Sequence, residues 1–227
     1  MKDPVSLRID YILKSCSGKS VLHVGCTNSP YTQRSIEDGS LLHFRLAKVA
    51  SKLYGIDIDE EGINIMREEG IKDLAVANVE DMINTNPFNS IDFDIIIAGE
   101  IIEHLPNPGQ FLESMKPILS KPGSRLLITT VNAFYALRIF NGLFGGKEGV
   151  HPDHVSYYSK STLNKLLEIQ GFEVQDFSYY SISDEYKKYL KQGKRWILFF
   201  VDRFATMVLP PLFSDGVMVT CSPKTKK

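Results

Sequence analysis

Short apolar runs alternate with amphipathic stretches along most of this chain. Val21–Val24, Leu53–Ile58, Leu74–Ala77, Phe93–Ala98 and Arg125–Thr130 each end at polar or glycine turn residues, as buried parallel strands do. Between them, Ile36–Ala50, Glu60–Glu69 and Pro108–Leu119 carry apolar positions at helical spacing, with Gly70 and Lys121-Pro122-Gly123 as stops. Residues 4–15 predict a further short helix covering one end of the sheet. Ala133–Phe144 predicts another, followed by a Gly145-Gly146 loop that carries His151 and His154. Ser159 is a suitable N-cap for a helix to Gln170, with Gly171 as its stop. Phe172–Ser181 and Gly216–Cys221 are strands that break the rhythm, so the last strand is expected at an edge or inserted antiparallel. The expectation is an α/β fold: a doubly wound, mostly parallel seven-stranded sheet, helices on both faces and an antiparallel last strand.

The stretch 184–214 stands apart. It begins basic, with Lys187, Lys188, Lys191, Lys194 and Arg195, and turns apolar from Trp196 to Val201. A helical insert within a single domain 1–227 is expected there, acting as a lid, a homodimer contact or, through 187–209, a membrane-surface element.

The bulk numbers narrow the class. The 227 residues suffice for one domain with a full core. A net charge of −1 gives no electrostatic footprint for nucleic acid, so no DNA partner is expected. Three distant cysteines, Cys16, Cys26 and Cys221, read as free thiols of a reducing compartment. The charged N-terminus is no signal peptide, and no long uncharged apolar stretch spans a membrane. The expected location is the cytoplasm, with peripheral membrane contact through the insert as the second reading.

Candidate chemistry gathers between Ser20 and Asp59. The first run meets Gly25, where a ligand can approach bare backbone, and the second ends in Asp57. Ligands of doubly wound sheets sit outside the carboxyl ends of the strands where strand order reverses, and an acid there can accept both hydroxyls of a ribose. A nucleoside-containing cofactor held between Gly25 and Asp57 is expected. These two stand farther apart than the about 20 residues of a nicotinamide fingerprint.

The stretches VLHVGC, YGIDID, NVED (Asn78–Asp81), Phe93–Leu119, Lys121–Asn132 and His151–Val174 occur in an order and spacing that resembles class I S-adenosylmethionine-dependent methyltransferases. The central stretch is most similar to a group that includes ubiquinone-pathway O-methyltransferases. The resemblance implies a Rossmann-like methyltransferase fold, S-adenosyl-L-methionine as cofactor, and methyl transfer to a hydroxyl or amine of a small molecule or glycan precursor. It places Gly25 and Cys26 under the methionine and ribose portion, Asp57 on the ribose diol and Ile58 on adenine. Asn78 or Glu80 would meet the adenine amine, Val79 would back the ring, and Ala98 and Gly99 would touch the methionine part through the backbone. Three departures stand out: His23 where the family usually has an acid, Cys26-Thr27-Asn28-Ser29 where a Gly-x-Gly run is usual, and Asn78 for Asp. An RNA 2′-O-methyltransferase and a non-catalytic cofactor-binding relative are the alternatives.

Glu100, Glu103 and His104 have the spacing of one helical face just beyond the central strand. His104 can titrate near neutral pH and take a proton from an acceptor hydroxyl, with Glu100 as a second catalytic group. The arrangement also resembles the Glu-x-x-Glu-His set that small-RNA 2′-O-methyltransferases and some ubiquinone-pathway enzymes use with a divalent ion, where a later histidine, here His151 or His154, would complete the RNA-type site; no metal is assigned here. Phe134, Tyr135, Tyr157 and Tyr158 are expected to shape the acceptor pocket.

Overall fold

The computed structural model describes residues 5–146, 148–181 and 209–224. Eight strands form one sheet: β1 (Val5–Leu7), β2 (Ser20–Val24), β3 (Lys52–Asp57), β4 (Leu74–Val76), β5 (Ile95–Gly99), β6 (Arg125–Val131), β7 (Phe172–Ser181) and β8 (Gly216–Pro223). Their order is β1-β7-β8-β6-β5-β2-β3-β4. The seven strands read from the sequence are all present. β8 runs antiparallel between β6 and β7, and every other pairing is parallel.

The eighth strand is the addition. The stretch expected as one helix over 4–15 splits into β1 and helix α1 (Arg8–Cys16), because Val5–Leu7 pairs parallel with Tyr179–Ser181 of β7. A second correction concerns the first crossover. Ile36–Ala50 is two short helices, α2 (Thr32–Glu37) and α3 (Leu42–Leu46), not one. Gly39 adopts φ +69° between them, and the amides of Ser40 and Leu41 both return to the carbonyl of Ser35.

The remaining helices are α4 (Glu60–Glu68), α5 (Met82–Thr85), α6 (Pro108–Met115), α7 (Ala136–Gly145) and α8 (Lys160–Ile169). Ser159 and Thr162 close a reciprocal capping box on α8. The central strands are buried on both faces. Leu22, Val24, Ile96 and Ile128 pack with Phe111, Leu112 and Met115 of α6 and Leu163 and Leu167 of α8. Val21, Ile95, Ile97 and Leu127 pack with Ile12 and Cys16 of α1 and Leu46 of α3. Each such aliphatic side chain contributes about 1.5–3 kcal/mol on burial, which holds the strand ends around the site in register. Most of the expected 184–214 insert lies outside the described residues. Among those described, no helix is long and apolar enough to cross a membrane.

Candidate functional site

Strand order reverses between β2 and β5, and a cavity of about 1270 Å³ opens beyond their carboxyl ends. Gly25 follows β2 and Gly99 ends β5, side by side because Val24 pairs with Ala98. Gly25 holds φ +71°, and a Cβ there would stand 2.9 Å from Cδ1 of Ile101, so only glycine keeps this turn. Ten of the residues nominated from the sequence line the one cavity: Gly25, Cys26, Asp57, Ile58, Asn78, Val79, Glu80, Gly99, Glu100 and His104; Ala98 is not among the lining.

At the β3–β4 end, Asp57 does more than face the cavity. Its Oδ2 accepts from the Thr27 amide and from Thr27 Oγ1, both at 2.9 Å, and its Oδ1 accepts from the Asp59 amide at 3.0 Å. The carboxylate therefore pins the turn after Gly25, and of its about four lone-pair sites roughly one, on Oδ1, remains for a ligand hydroxyl. Ile58 stands 71% exposed at the rim, which suits cover by a flat apolar group. Val79, also in the lining, is buried. Asn78 spends its Oδ1 on the Glu80 amide, and Glu80 accepts the Asn107 amide through Oε1. Among the described residues, Nδ2 of Asn78 and Oε2 of Glu80 are the polar atoms of these two side chains left to read a ring edge.

The opposite end holds a group that sequence reasoning missed. Arg8 opens α1, lines the cavity with a 15% exposed side chain, and brings Nη1 to 3.8 Å from Glu100 Oε1. The pairing of β1 with β7 puts its guanidinium over the Tyr180 ring, 5.9 Å from the centroid. Glu100 itself has φ +54°, outside any helix. Its Oε1 accepts from Tyr180 OH at 2.5 Å and from Thr129 Oγ1 at 3.0 Å. Buried Tyr180 holds its phenol proton well above the usual range, first because of burial and then because of the Glu100 charge. No spacing signal joins residues 8, 100 and 180; only the strand pairing does.

Glu100, Glu103 and His104 do not share a helical face. The left-handed turn at Glu100 is followed by only one 3₁₀ turn, Ile102–His104. Glu103 is fully buried, with Oε2 accepting from Thr130 Oγ1 at 2.8 Å and Oε1 without a partner among the described residues. Burial, and then the Glu100 charge, push its carboxyl up to about 8. His104 stays at the cavity, its Nδ1 3.1 Å from the Asp153 carbonyl oxygen. A carbonyl can only accept, so Nδ1 carries a proton, and in the neutral ring the lone pair falls on Nε2. The loop 151–158 is held over this point by the amides of Val155 and Ser156, which donate to the Glu103 carbonyl. His154 packs edge-on to His104 at 4.6 Å, and burial with its two histidine neighbours brings it down to about 4.

One carboxylate oxygen of Glu103 and a ring nitrogen each of His104 and His154 lie within 4.8 Å of one another, close enough for the three to hold a divalent ion. The aromatic quartet expected at the acceptor pocket does not line this cavity. Phe134, Tyr135, Tyr157 and Tyr158 are absent from the lining. Tyr158 is core, and Tyr157 stacks under Arg138 at 4.1 Å instead.

The chain matches the family model described as "Methyltransferase domain" over residues 4–176. It is 33% identical to the ubiquinone biosynthesis O-methyltransferase of Xylella fastidiosa (strain M23) over 189 residues, covering 74% of this chain and 71% of that protein. It is 27% identical to the protein of the same description from Azoarcus sp. (strain BH72), covering 76% and 72%. Among solved structures, a SAM dependent methyltransferase from Archaeoglobus fulgidus superposes with a TM-score of 0.56 at 18% identity, over 93% of this chain and 89% of that one. The small RNA methyltransferase HEN1 superposes with 0.59 at 18% identity, over 97% of this chain and 25% of that one.

Proposed function

We propose, from the premise that this chain belongs to the S-adenosylmethionine-dependent methyltransferases, that it methylates a hydroxyl oxygen of a small molecule. When bound, S-adenosylmethionine supplies an electrophilic methyl group on a sulfonium. The residues present fit that cofactor. Gly25 and Gly99 offer bare backbone at neighbouring strand ends, Oδ1 of Asp57 has one acceptor site for a ribose hydroxyl, and Ile58 can cover adenine. Arg8 is a cation for the α-carboxylate and Glu100 an anion beside it.

His104 carries the choice of a hydroxyl acceptor. With Nδ1–H committed to the Asp153 carbonyl, Nε2 is a bare base at the cavity wall, able to take the proton as the oxygen attacks. Glu100, held by Tyr180, Thr129 and Arg8, serves as an anchor for the methionine end in this reading, not as a base. The curated relatives carry the words "ubiquinone biosynthesis O-methyltransferase", which favours a phenolic hydroxyl over a glycan.

The test is turnover with catechol-type phenols, read as S-adenosylhomocysteine formed. His104→Ala is expected to lower kcat by roughly a hundredfold while leaving S-adenosylhomocysteine affinity unchanged. Normal turnover in that variant removes His104 from the chemistry.

A second reading rests on the cluster of Glu103, His104 and His154: a divalent ion would orient the acceptor oxygen there. Calorimetric titration with Mn²⁺ separates the two. Uptake lost in both Glu103→Gln and His154→Ala favours the ion, and no heat in the unaltered protein rejects it.

A further inference from the structure

His23 stands in the middle of β2, and it is 2% exposed. It shares its face of the sheet with Val21, toward α1 and α3. There it meets His43 of α3, which has no exposure at all. The two Nδ1 atoms are 3.2 Å apart and the ring planes differ by only 15°. Burial holds both rings neutral: His43 is brought down to about 4, and His23 falls well below the usual histidine range, with His43 and Arg8 adding to the effect. Each ring then carries one proton, and one proton lies between the two Nδ1 atoms.

The surroundings decide which ring donates. Nε2 of His43 is buried with no hydrogen-bond partner among the described residues. Were His23 the donor, His43 would have to keep its own proton on that sealed Nε2. Orphaned buried N–H groups are rarer than orphaned acceptors. The opposite assignment leaves only a bare lone pair there. His43 then donates from Nδ1, His23 accepts at Nδ1, and the proton of His23 sits on Nε2. That nitrogen makes no hydrogen bond among the described residues, yet it is not sealed like its counterpart, and His23 lines the cavity.

A Cβ on Gly99 would stand 4.0 Å from Arg8 Nη1 and 3.7 Å from both Leu42 and the Thr129 hydroxyl, which is spent on Glu100. Glu100, the acid beside Arg8, is already bonded to Tyr180 and Thr129. An N–H beside a guanidinium suits a carboxylate. We infer that His23 donates from Nε2 to the α-carboxylate of the cofactor's methionine portion, that His43 is a positioning residue fixing the tautomer, and that the site thereby recognises the carboxylate where an acid at position 23 would repel it. The inference rests on the methionine end lying between Gly25 and Gly99, as proposed above.

The experiment compares two ligands by calorimetry on the full chain. S-adenosylhomocysteine has the carboxylate; 5′-deoxy-5′-(3-aminopropylthio)adenosine keeps the amine and lacks it. His23→Leu is expected to weaken the first by roughly tenfold to a hundredfold and to leave the second within about twofold. His23→Gln, which can still donate, recovers part of the loss. Equal weakening of both ligands, or of neither, overturns the inference. Nitrogen-15 spectra of the histidine rings in the unaltered protein test it without any variant. A protonated His23 Nε2 whose signal moves with S-adenosylhomocysteine but not with the amine supports it; a protonated His23 Nδ1 overturns it. If the unaltered protein binds neither ligand, the placement of the cofactor falls as well; if it binds both and only the selectivity of the variants fails, the placement stands and the role of His23 alone is lost.

Discussion

Glu103 has one oxygen bonded to Thr130 and the other without a hydrogen-bond partner among the described residues. Its folded pKa, near 8, lies above the ordinary 4.5. Between those two values the folded chain keeps a proton that the unfolded chain has released, so stability falls as pH rises through that window and is level above it. The loss is of the order of a few kcal/mol. Glu103→Gln is expected to flatten this slope in urea denaturation run from pH 5 to pH 8.5; a slope unchanged in the variant would mean the carboxyl is not the titrating group. Asp57 poses the opposite case, a carboxylate that stays useful because it is bonded. It ties Thr27 and Asp59 as well as facing the cavity. Asp57→Ala is therefore expected to abolish cofactor binding and to cost about 1–3 kcal/mol of stability, both measurable on one purified sample. Asp57 was legible in the sequence because it ends an apolar run one strand from Gly25. Its grip on Thr27 was not, since nothing local marks a contact 30 positions away.

Elements were legible where their pattern was long. The five buried parallel runs and the capped helices α4, α6 and α8 declared themselves through continuous apolar stretches and through Gly70, Pro108 and Ser159. β1 did not, because three residues carry no period, and only its pairing with β7 makes it a strand. The 36–50 stretch misled because its apolar spacing continues across Asp38-Gly39-Ser40, while the backbone at Gly39 turns left-handed. Arg8 and Tyr180 stayed hidden for the same reason as β1. The pairing of β7 with β8 sets Tyr180 opposite Gly216, and a Cβ at 216 would fall 1.9 Å from Cζ of the Tyr180 ring. Backbone and a fully buried ring leave no slack. Gly216→Ala is expected to destabilise by roughly 1–3 kcal/mol or more and to weaken S-adenosylhomocysteine binding, since the displaced phenol is what Glu100 holds. Melting and calorimetry on that variant check both; full affinity with a lowered Tm would separate the strand from the site.

At the scale of the whole molecule, cofactor and fold share one set of strand ends, so occupancy and stability are linked. S-adenosylhomocysteine at a hundred times its dissociation constant is expected to add about 2.7 kcal/mol, seen as a rise in Tm that disappears in Asp57→Ala. The sheet that makes this coupling is closed late in the chain: β8, from residue 216, slots between β6 and β7. A nascent polypeptide still short of that point carries two long apolar edges with every ladder group of the gap unfilled. Synthesis of this protein thus passes through a sticky stage that ends only when its closing segment leaves the ribosome tunnel. Chains stalled or cleaved before residue 216 should accumulate as aggregates or chaperone clients and not as a smaller folded core.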